Sequence, residues 1–316
     1  MNPKNSNNNT ILYSLLPIFF FLCLSLNAQT AVYHYAVMPD NPRPGEPVTI
    51  GAHESSGAVT ASLMAGGRRL AHVTFFRIPP EGTKPALLAA ILAVPSTAGP
   101  GRGAIVIEGM EGIIAEIPLG IAEREFSSEV IDLNPTLTGI RTDTSPQRTA
   151  ESDHLWAILN RTGYEAHTFG SFSPPVQSTR RTSRFGSRRV YRYSDGSSDV
   201  SIHAGVDYGV PTGTAVVACA PGRVVLARPR IVTGNSIIVE HLPGVQSLYY
   251  HLDTIEVAEG ALVATGTLLG LSGATGLATG PHLHWEIRVA GENADPDAFI
   301  ARPILDKDAI LSKIYQ

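Results

Sequence analysis

Cysteine is scarce in this sequence, with only Cys23 and Cys219 among 316 residues. If a leader that contains Cys23 is removed, an intrachain disulfide is excluded and stability has to come from packing. Cys219 lies in the apolar run Ala215–Ala220. Because free cysteine is commonly buried, we predict a structural Cys219 rather than a nucleophile.

A strong charge of either sign is also missing. The formal net charge of −4 is too small to imply nucleic acid as the partner, and neither end carries a charged tail. Coiled-coil heptads, solenoid repeats and an HExxH motif are absent as well. What remains is an ordinary globular composition, 43% hydrophobic and 16% charged, in which 30 Gly and 23 Pro indicate many short strands and turns.

The one long apolar run lies near the start of the chain. Ile11–Leu26 follows a polar segment that contains Lys4 and precedes the small residue Ala28. That layout predicts a signal peptide over residues 1–29, and therefore an exported protein of the periplasm or cell envelope. A membrane span needs about 20 apolar residues, so an uncleaved anchor is the weaker alternative. No stable membrane span is expected after cleavage.

Residues 30–122 form the first of two β-rich regions. Short apolar runs separated by Gly, Pro and Ser clusters predict a β-sandwich. The predicted strands are Val59–Met64, His72–Ile78, Ala86–Val94, Ala104–Ile107 and Ile113–Leu119. Residues 123–172 are predicted to be a connector with one short helix, Asp153–Asn160, capped by Ser152 or Asp153.

Residues 173–304 form the second β-rich region. The connections there are too short for crossover helices, which predicts a compact antiparallel sheet and a mainly all-β fold. The predicted strands are Thr214–Ala218, Arg223–Ala227, Ser236–His241, Gln246–His251 and His282–Val289. The tail, residues 305–316, is predicted to contain a short amphipathic helix over Asp306–Tyr315.

Three motifs in the second region carry the chemistry. They are His203-Ala204-Gly205-Val206-Asp207, Tyr249-Tyr250-His251-Leu252 and Gly280-Pro281-His282-Leu283-His284-Trp285-Glu286. Side chains two apart on a strand share a face, so His282 and His284 should project together while Leu283 and Trp285 face the other way.

Imidazole and carboxylate ligands suit zinc, and a catalytic zinc site leaves one position for water. Asp207 follows His203 by four residues in a glycine-containing segment that can bend both toward one point. Spacing alone leaves the ligand positions open among the candidates His203, His251, His282 and His284. A lone histidine in a strand is usually a satisfied polar residue, but three such motifs in one region seldom arise by chance.

From Ser178 to Phe299 the sequence closely resembles the LytM/lysostaphin-type zinc metallopeptidases of the M23 peptidase family. The resemblance is carried by the three motifs and by further segments in the same order. These segments are Thr182-Ser183-Arg184-Phe185-Gly186, Gly222-Arg223-Val224-Val225, Gly234-Asn235 and Gly273-Ala274-Thr275-Gly276. It implies an antiparallel β-domain with an open groove, and the N-terminal region resembles the immunoglobulin-like sandwiches found before such domains.

The resemblance also implies a role for each key residue. One Zn²⁺ per chain would be held by His203, Asp207 and His284. His251 and His282 would be the non-ligand pair that activates water and stabilises the oxyanion. Asn235 matches a position that lines the substrate groove in relatives.

The implied activity is zinc-dependent endopeptidase cleavage of peptide bonds in bacterial peptidoglycan cross-links or stems. The partners would be peptidoglycan peptides, and a monomer is expected. The alternative is a non-catalytic wall-binding activator of other cell-wall hydrolases, because some family members lose ligands. All five key positions are retained here, which favours the enzyme.

Two features outside the motifs need an interpretation. Six arginines precede the first motif: Arg180, Arg181, Arg184, Arg188, Arg189 and Arg192. They could contact acidic wall polymers, but we favour a solvated loop with local ion pairs. His241 ends a predicted strand near the groove, and a structural role is favoured for it.

Overall fold

The computed structural model describes residues 35–161, 163 and 165–315, so the predicted signal peptide lies outside the described residues. The mainly all-β prediction is confirmed in this part of the chain. None of its helices combines the length and apolar character that a membrane crossing requires.

The N-terminal region contains two facing four-stranded antiparallel sheets. Their strands are β1 (Tyr35–Met38), β2 (Pro47–His53), β3 (Thr60–Ala65), β4 (Arg68–Thr74), β5 (Phe76–Ile78), β6 (Leu87–Ala93), β7 (Gly101–Gly109) and β8 (Gly112–Ile121). The sheet orders are β1-β2-β6-β5 and β4-β3-β7-β8. Ile50 and Leu92 of the first sheet share a buried core with Leu63 and Ile105 of the second. A two-sheet sandwich is present, and its immunoglobulin-like character stays a prediction.

The predicted strand His72–Ile78 is wrong, because it joins two strands that belong to different sheets. The chain leaves β4 after Thr74 and enters β5 at Phe76, and β4 pairs with β3 whereas β5 pairs with β6. Short apolar runs hid this crossing, because they report burial and not the partner: Val73 packs in the core between the two sheets, whereas Ile78 packs in a separate cluster with the C-terminal tail.

The connector contains more structure than the sequence predicted. It holds the strand β9 (Ser128–Asp132) and the helices α1 (Pro135–Thr142) and α2 (Pro146–Leu159). The predicted start and caps of the helix are wrong, because Ser145 caps α2 and accepts a hydrogen bond from the Arg148 backbone N–H at 3.3 Å. A polar first half without apolar periodicity concealed the early start, although Ser followed by Pro at the first helical position is a known start signal.

Twelve further strands and two helices complete the fold. They are β10 (Arg181–Ser183), β11 (Arg188–Arg192), β12 (Ser198–Ile202), β13 (Gly205–Tyr208), β14 (Ala215–Val217), β15 (Gly222–Arg230), β16 (Gly234–Leu242), β17 (Val245–Ile255), β18 (Leu262–Val263), β19 (Leu268–Ser272), β20 (Leu283–Val289), β21 (Glu292–Ala294), α3 (Pro296–Ala301) and α4 (Lys307–Ile314).

Ten of these strands build one sheet in the central order β10-β13-β20-β17-β16-β15-β18, with β14, β19 and β21 paired beside it. All its pairs are antiparallel, as the short connections predicted. A separate three-stranded sheet has the order β12-β11-β9, and in it β9 runs parallel to β11. The connector therefore supplies an edge strand beside the large sheet.

The predicted tail helix is present as α4, which Asp306 caps by accepting a hydrogen bond from the Ala309 backbone N–H at 3.0 Å. Its apolar face is buried against the N-terminal sandwich through Ile310 and Ile314. Gly51 on β2 makes this contact close, since a Cβ there would lie 2.2 Å from Ile310 Cγ2. The C-terminal tail thus packs on the first β-rich region.

His241 and Cys219 are both fully buried in the large sheet, which confirms the structural roles predicted for them. The Nδ1–H of His241 donates to the Pro221 carbonyl at 2.7 Å, and its Nε2 lies 2.7 Å from Ser247 Oγ. Burial lowers the pKa of His241 to about 4 and raises the pKa of the Cys219 thiol to about 12. Cys219 is therefore a poor nucleophile at neutral pH.

The buried His241 predicts an acid-sensitive fold. Its folded pKa of about 4 lies below the ordinary value of about 6.5, so protonation favours the unfolded chain. Its contribution is complete above about pH 6.5 and falls by up to about 3 kcal/mol as the pH approaches 4. In urea denaturation of metal-free protein, His241→Gln should shrink the stability difference between pH 7 and pH 4 by about that amount. An unchanged difference would contradict this assignment.

Gly205 permits the close approach of β13 to β20. A Cβ at this position would lie 2.1 Å from the Trp285 carbonyl oxygen, so Gly205→Ala forces the two strands apart. We expect a loss of about 1–3 kcal/mol in urea denaturation. Gly139→Ala is the control, because nothing lies within 4 Å of its added Cβ. Equal stability of the two variants would show that the strands can separate at no cost.

Candidate metal centre

Two paired strands and the residues just before them bring three donor side chains together. Asp207 on β13 lies directly opposite His284 on β20. Tyr250 on β17 borders His284 on its other side, with the two rings stacked 5.6 Å apart. His203 precedes β13, and its ring centroid is 4.8 Å from that of His284.

The three donor atoms form a small triangle. His203 Nε2 is 3.1 Å from Asp207 Oδ1 and 3.0 Å from His284 Nδ1, and the last two atoms are 2.7 Å apart. Neighbouring donors in a tetrahedral shell with bonds of about 2.0 Å are about 3.3 Å apart. The triangle therefore has nearly the size of one face of such a shell. Within the described part of the chain, these residues are the one group of His, Cys, Asp or Glu that converges in this way.

Each candidate histidine ligand is oriented by a bond from its other ring nitrogen. His203 Nδ1 lies 2.8 Å from the Arg184 carbonyl, and His284 Nε2 lies 2.9 Å from Glu286 Oε1. Because these partners accept hydrogen bonds, they fix N–H groups on Nδ1 of His203 and Nε2 of His284. The lone pairs of the remaining nitrogens then point into the triangle, as in metal sites with oriented histidines.

The charges of the triangle also suit a cation. His203 Nε2 and His284 Nδ1 are 3.0 Å apart, so their lone pairs repel each other unless a proton or a metal ion lies between them. Burial opposes charge on His284, but hydrogen bonds with Asp207 and Glu286 outweigh it and raise the pKa of His284 to about 9. Burial likewise opposes the Asp207 carboxylate, yet hydrogen bonds with His203 and His284 hold its pKa well below the usual range. A bound metal would therefore displace a proton from His284.

His251 and His282 lie beside the triangle with a different arrangement. Their Nδ1 atoms lie 2.8 Å from the carbonyls of Thr275 and Gly280 respectively, which leaves each Nε2 as the free acceptor. Their ring centroids are 4.8 Å apart. Burial lowers the pKa of both, in His251 to about 3. Both rings are therefore neutral proton acceptors at neutral pH.

The backbone turns His251 toward the triangle. Its φ of +61° lies in the left-handed region, which few residues other than glycine adopt. At this point β17 leaves β20, since Tyr250 pairs with His284 whereas Leu252 pairs with Ser272 of β19. The His251 N–H is held by the Thr233 carbonyl at 2.9 Å. Strain of this kind is often found at functional sites.

The shared face predicted for the HxH pair is confirmed. His284 Nδ1 and His282 Nε2 lie 2.7 Å and 3.8 Å from the same oxygen, Asp207 Oδ1. Leu283 and Trp285 are fully buried in the core on the other side. The five residues of the predicted site therefore lie together.

Asn235 lies close to the loop that carries His251, although its side chain is already engaged. It pairs with Leu252, and its Nδ2 donates to the Asp253 carbonyl at 2.9 Å. A role for Asn235 in substrate binding stays a prediction.

A cleft of about 300 Å³ opens beside the cluster. Asp207 and His282 line one part of it, and Glu129, Ile131 and Arg189 line another. Strand β9 of the connector thus forms part of its wall. Asn235, which the resemblance places in a substrate groove, is not among the residues that line this cleft.

Sequence reasoning missed the residues around the ligands. Glu286 follows His284 by two residues on the same strand face, so spacing alone could have found it. Glu129 could not be found in this way, because it lies 60 residues before its partner Arg189. The solvated loop expected for the arginine cluster is wrong, because Arg181 lies on β10 and Arg189 and Arg192 lie on β11. These three arginines do form ion pairs, although with partners that are distant in the sequence.

A His-Asp-His triangle and two further neutral histidines lie together beside a cleft, an arrangement that suits a metal-dependent hydrolase. Residues 201–296 match the sequence model of Peptidase family M23. This match over one segment of the chain confirms the family resemblance that the motifs carry.

Curated relatives resemble the same part of the chain. The DD-carboxypeptidase/endopeptidase Mpg of Neisseria meningitidis serogroup B is 38% identical over 122 residues, which are 39% of this chain and 27% of that protein. The peptidoglycan DD-endopeptidase ShyA of Vibrio cholerae is 39% identical over 118 residues, 37% of this chain and 27% of that protein. This chain therefore spans about a quarter of the length of these relatives.

A solved structure resembles a larger share of the fold. The crystal structure of a protein assigned to peptidase M23 from Pseudomonas aeruginosa covers 82% of this chain and 94% of its own, with 23% identity and a TM-score of 0.56. At this identity the likeness concerns the fold alone.

The donor triangle predicts that Asp207 and His284 are each required to retain a metal ion. Asp207→Ala and His284→Ala should each abolish retention of Zn²⁺ after loading and dialysis, because two donors remain where three converge. His154→Ala is the control, since this histidine is exposed on α2. Elemental analysis of the folded proteins measures the retained metal. One equivalent of zinc in the Asp207→Ala protein would refute the ligand set.

Proposed function

We propose that this chain is a zinc-dependent endopeptidase that hydrolyses peptide bonds in bacterial peptidoglycan, in cross-links or stems. The observation that carries the proposal is the meeting of three oriented donors with two neutral histidines in one cluster, of which Asp207 and His282 line a cleft. The names of Mpg and of ShyA, which describe carboxypeptidase and endopeptidase activities, support this substrate class. We also propose that the protein acts in the cell envelope, where such a substrate lies.

One Zn²⁺ per chain would be held by Nε2 of His203, Nδ1 of His284 and Oδ1 of Asp207. The donor set of two imidazoles and one carboxylate suits zinc and leaves a position free. A bound zinc ion supplies a water of lowered pKa and polarises the scissile carbonyl.

We assign proton transfer and stabilisation of the oxyanion to His251 and His282. Both Nε2 atoms are free acceptors in neutral rings, so one of them takes the proton of the attacking water as general base. The other can stabilise the oxyanion of the tetrahedral intermediate only in its protonated form, in which an Nε2–H donates a hydrogen bond to the oxyanion. The carbonyls of Thr275 and Gly280 hold the two rings in place through Nδ1, which limits reorganisation during the reaction.

Asn235 and the wall of the cleft would contact the substrate peptide. The Asn235 Oδ1 and one N–H of its Nδ2 are left for this role, because the other N–H donates to the Asp253 carbonyl. The complete donor set speaks against the alternative of a non-catalytic wall-binding activator, which has no need of oriented ligands.

The function predicts a chelator-sensitive release of new amino termini from purified peptidoglycan. His251→Ala should keep its zinc and lose most activity, by about 10²–10⁴-fold, because a general acid–base residue is removed while the donors remain. Mass spectrometry of the released fragments identifies the bond that is cut. Wild-type protein that binds zinc and the wall but releases no peptide would favour the activator. Full activity of His251→Ala would refute the role of this residue.

A further inference from the structure

A second group of buried side chains contacts the metal centre from the connector side. Arg189 Nη2 lies 2.6 Å from Asp207 Oδ2, the oxygen that is not part of the donor triangle. The Nε of Arg189 donates to Glu129 Oε1 at 2.6 Å. The same Glu129 oxygen accepts a hydrogen bond from Ser183 Oγ at 2.7 Å, and Ser183 Oγ lies 3.1 Å from His203 Nδ1. Glu129 is thus linked to Asp207 through Arg189 and to His203 through Ser183.

Glu129 comes from a part of the chain that the family match does not cover. It lies on β9, and the parallel register of β9 and β11 sets it opposite Arg189. Both residues precede the matched segment 201–296. Their side chains are largely buried, with 30% of the Glu129 side chain and 13% of the Arg189 side chain exposed.

We propose that Glu129 and Arg189 are positioning residues of the zinc site, and this inference rests on the proposed function in taking the triangle as a zinc site. Arg189 occupies Asp207 Oδ2, so Oδ1 is the single oxygen left for the metal. A carboxylate held in this way binds through one oxygen and keeps a fixed direction.

Charge explains why Glu129 is needed as well. A buried guanidinium beside a ligand carboxylate withdraws negative charge from the metal and repels it. Glu129 offsets that positive charge and anchors the guanidinium in its place. Removal of the Glu129 charge therefore weakens metal binding in two ways, by charge and by loss of orientation.

A purely structural role for this ion pair would be to hold β9 against β11, and the same strands contain a matched control. Asp132 and Arg192 are also opposite each other, three positions further along, and form an ion pair at 2.8 Å. Both are exposed, at 74% for Asp132 and 59% for Arg192. Asp132→Asn therefore removes one negative charge and one ion pair between the same strands, away from the metal centre.

The test is zinc affinity of the full chain, measured by competition with a chelator. We expect Glu129→Gln to weaken Zn²⁺ binding by about 10–100-fold, and Asp132→Asn to leave it within about twofold. Cobalt-substituted protein should show an altered visible absorption band in Glu129→Gln only, because the band reports the ligand geometry. Combined with Arg189→Gln, the effect of Glu129→Gln should be strongly non-additive, since the two residues act through one contact.

Two results would overturn the inference: wild-type zinc affinity in Glu129→Gln, or an equal loss of affinity in Asp132→Asn. Should Glu129→Gln fail to fold, Arg189→Lys decides, because an ammonium group lacks the rigid fork that fixes the directions of both carboxylates, and affinity should fall by about tenfold. Zinc affinity and peptide release are separate measurements. A wild-type protein that binds zinc but cleaves no wall peptide would refute the proposed function and leave the positioning role standing.

Discussion

The antiparallel pairing of β13 with β20 is the constraint on which the metal centre depends. It sets Asp207 opposite His284, so the backbone ladder fixes the relation between two of the three donors before any side chain is ordered. Gly205 allows the close approach at the start of this pairing, because no Cβ separates it from the Trp285 carbonyl. The core formed by Leu283 and Trp285 on the opposite face holds the register, since a slip of one residue would turn both histidines of the HxH pair into that core.

The second constraint is the cost of burying charge. Ionised groups lose several kcal/mol of hydration when they are buried, and this loss is recovered only where opposite charges meet in good geometry. A series of hydrogen-bonded side chains runs through the site, and each carboxylate in it lies between two cations or imidazole rings or ends the series. The order is Arg288, Glu286, His284, Asp207, Arg189 and Glu129. Neighbours along this series lie 2.6 to 2.9 Å apart. Each group therefore has a partner, and the candidate ligands are held by hydrogen bonds to their neighbours.

The sequence predicted those parts of the site whose residues are close together along the chain. The spacing of the motifs gave His203, His251, His282 and His284 as candidates beside Asp207, and the family resemblance then assigned a role to each. Contacts between distant segments could not be predicted in this way. Glu129 belongs to a connector strand in parallel pairing with β11, and no periodicity links residues 60 apart. The polar start of α2 and the sheet change at Phe75 were missed because apolar patterns report burial and not the identity of the partner.

The two histidines of the HxH pair show why spacing alone leaves roles open. Both project toward Asp207, yet they differ in the nitrogen that is engaged elsewhere. His284 gives its Nε2–H to the Glu286 carboxylate, which adds electron density to the ring and leaves Nδ1 directed at the donors. His282 gives its Nδ1–H to the neutral Gly280 carbonyl, which leaves Nε2 free toward the cleft. The type of partner does not by itself separate the roles, because the candidate ligand His203 also gives its Nδ1–H to a carbonyl, that of Arg184. What differs within the HxH pair is the nitrogen that remains free, which is Nδ1 in His284 and Nε2 in His282.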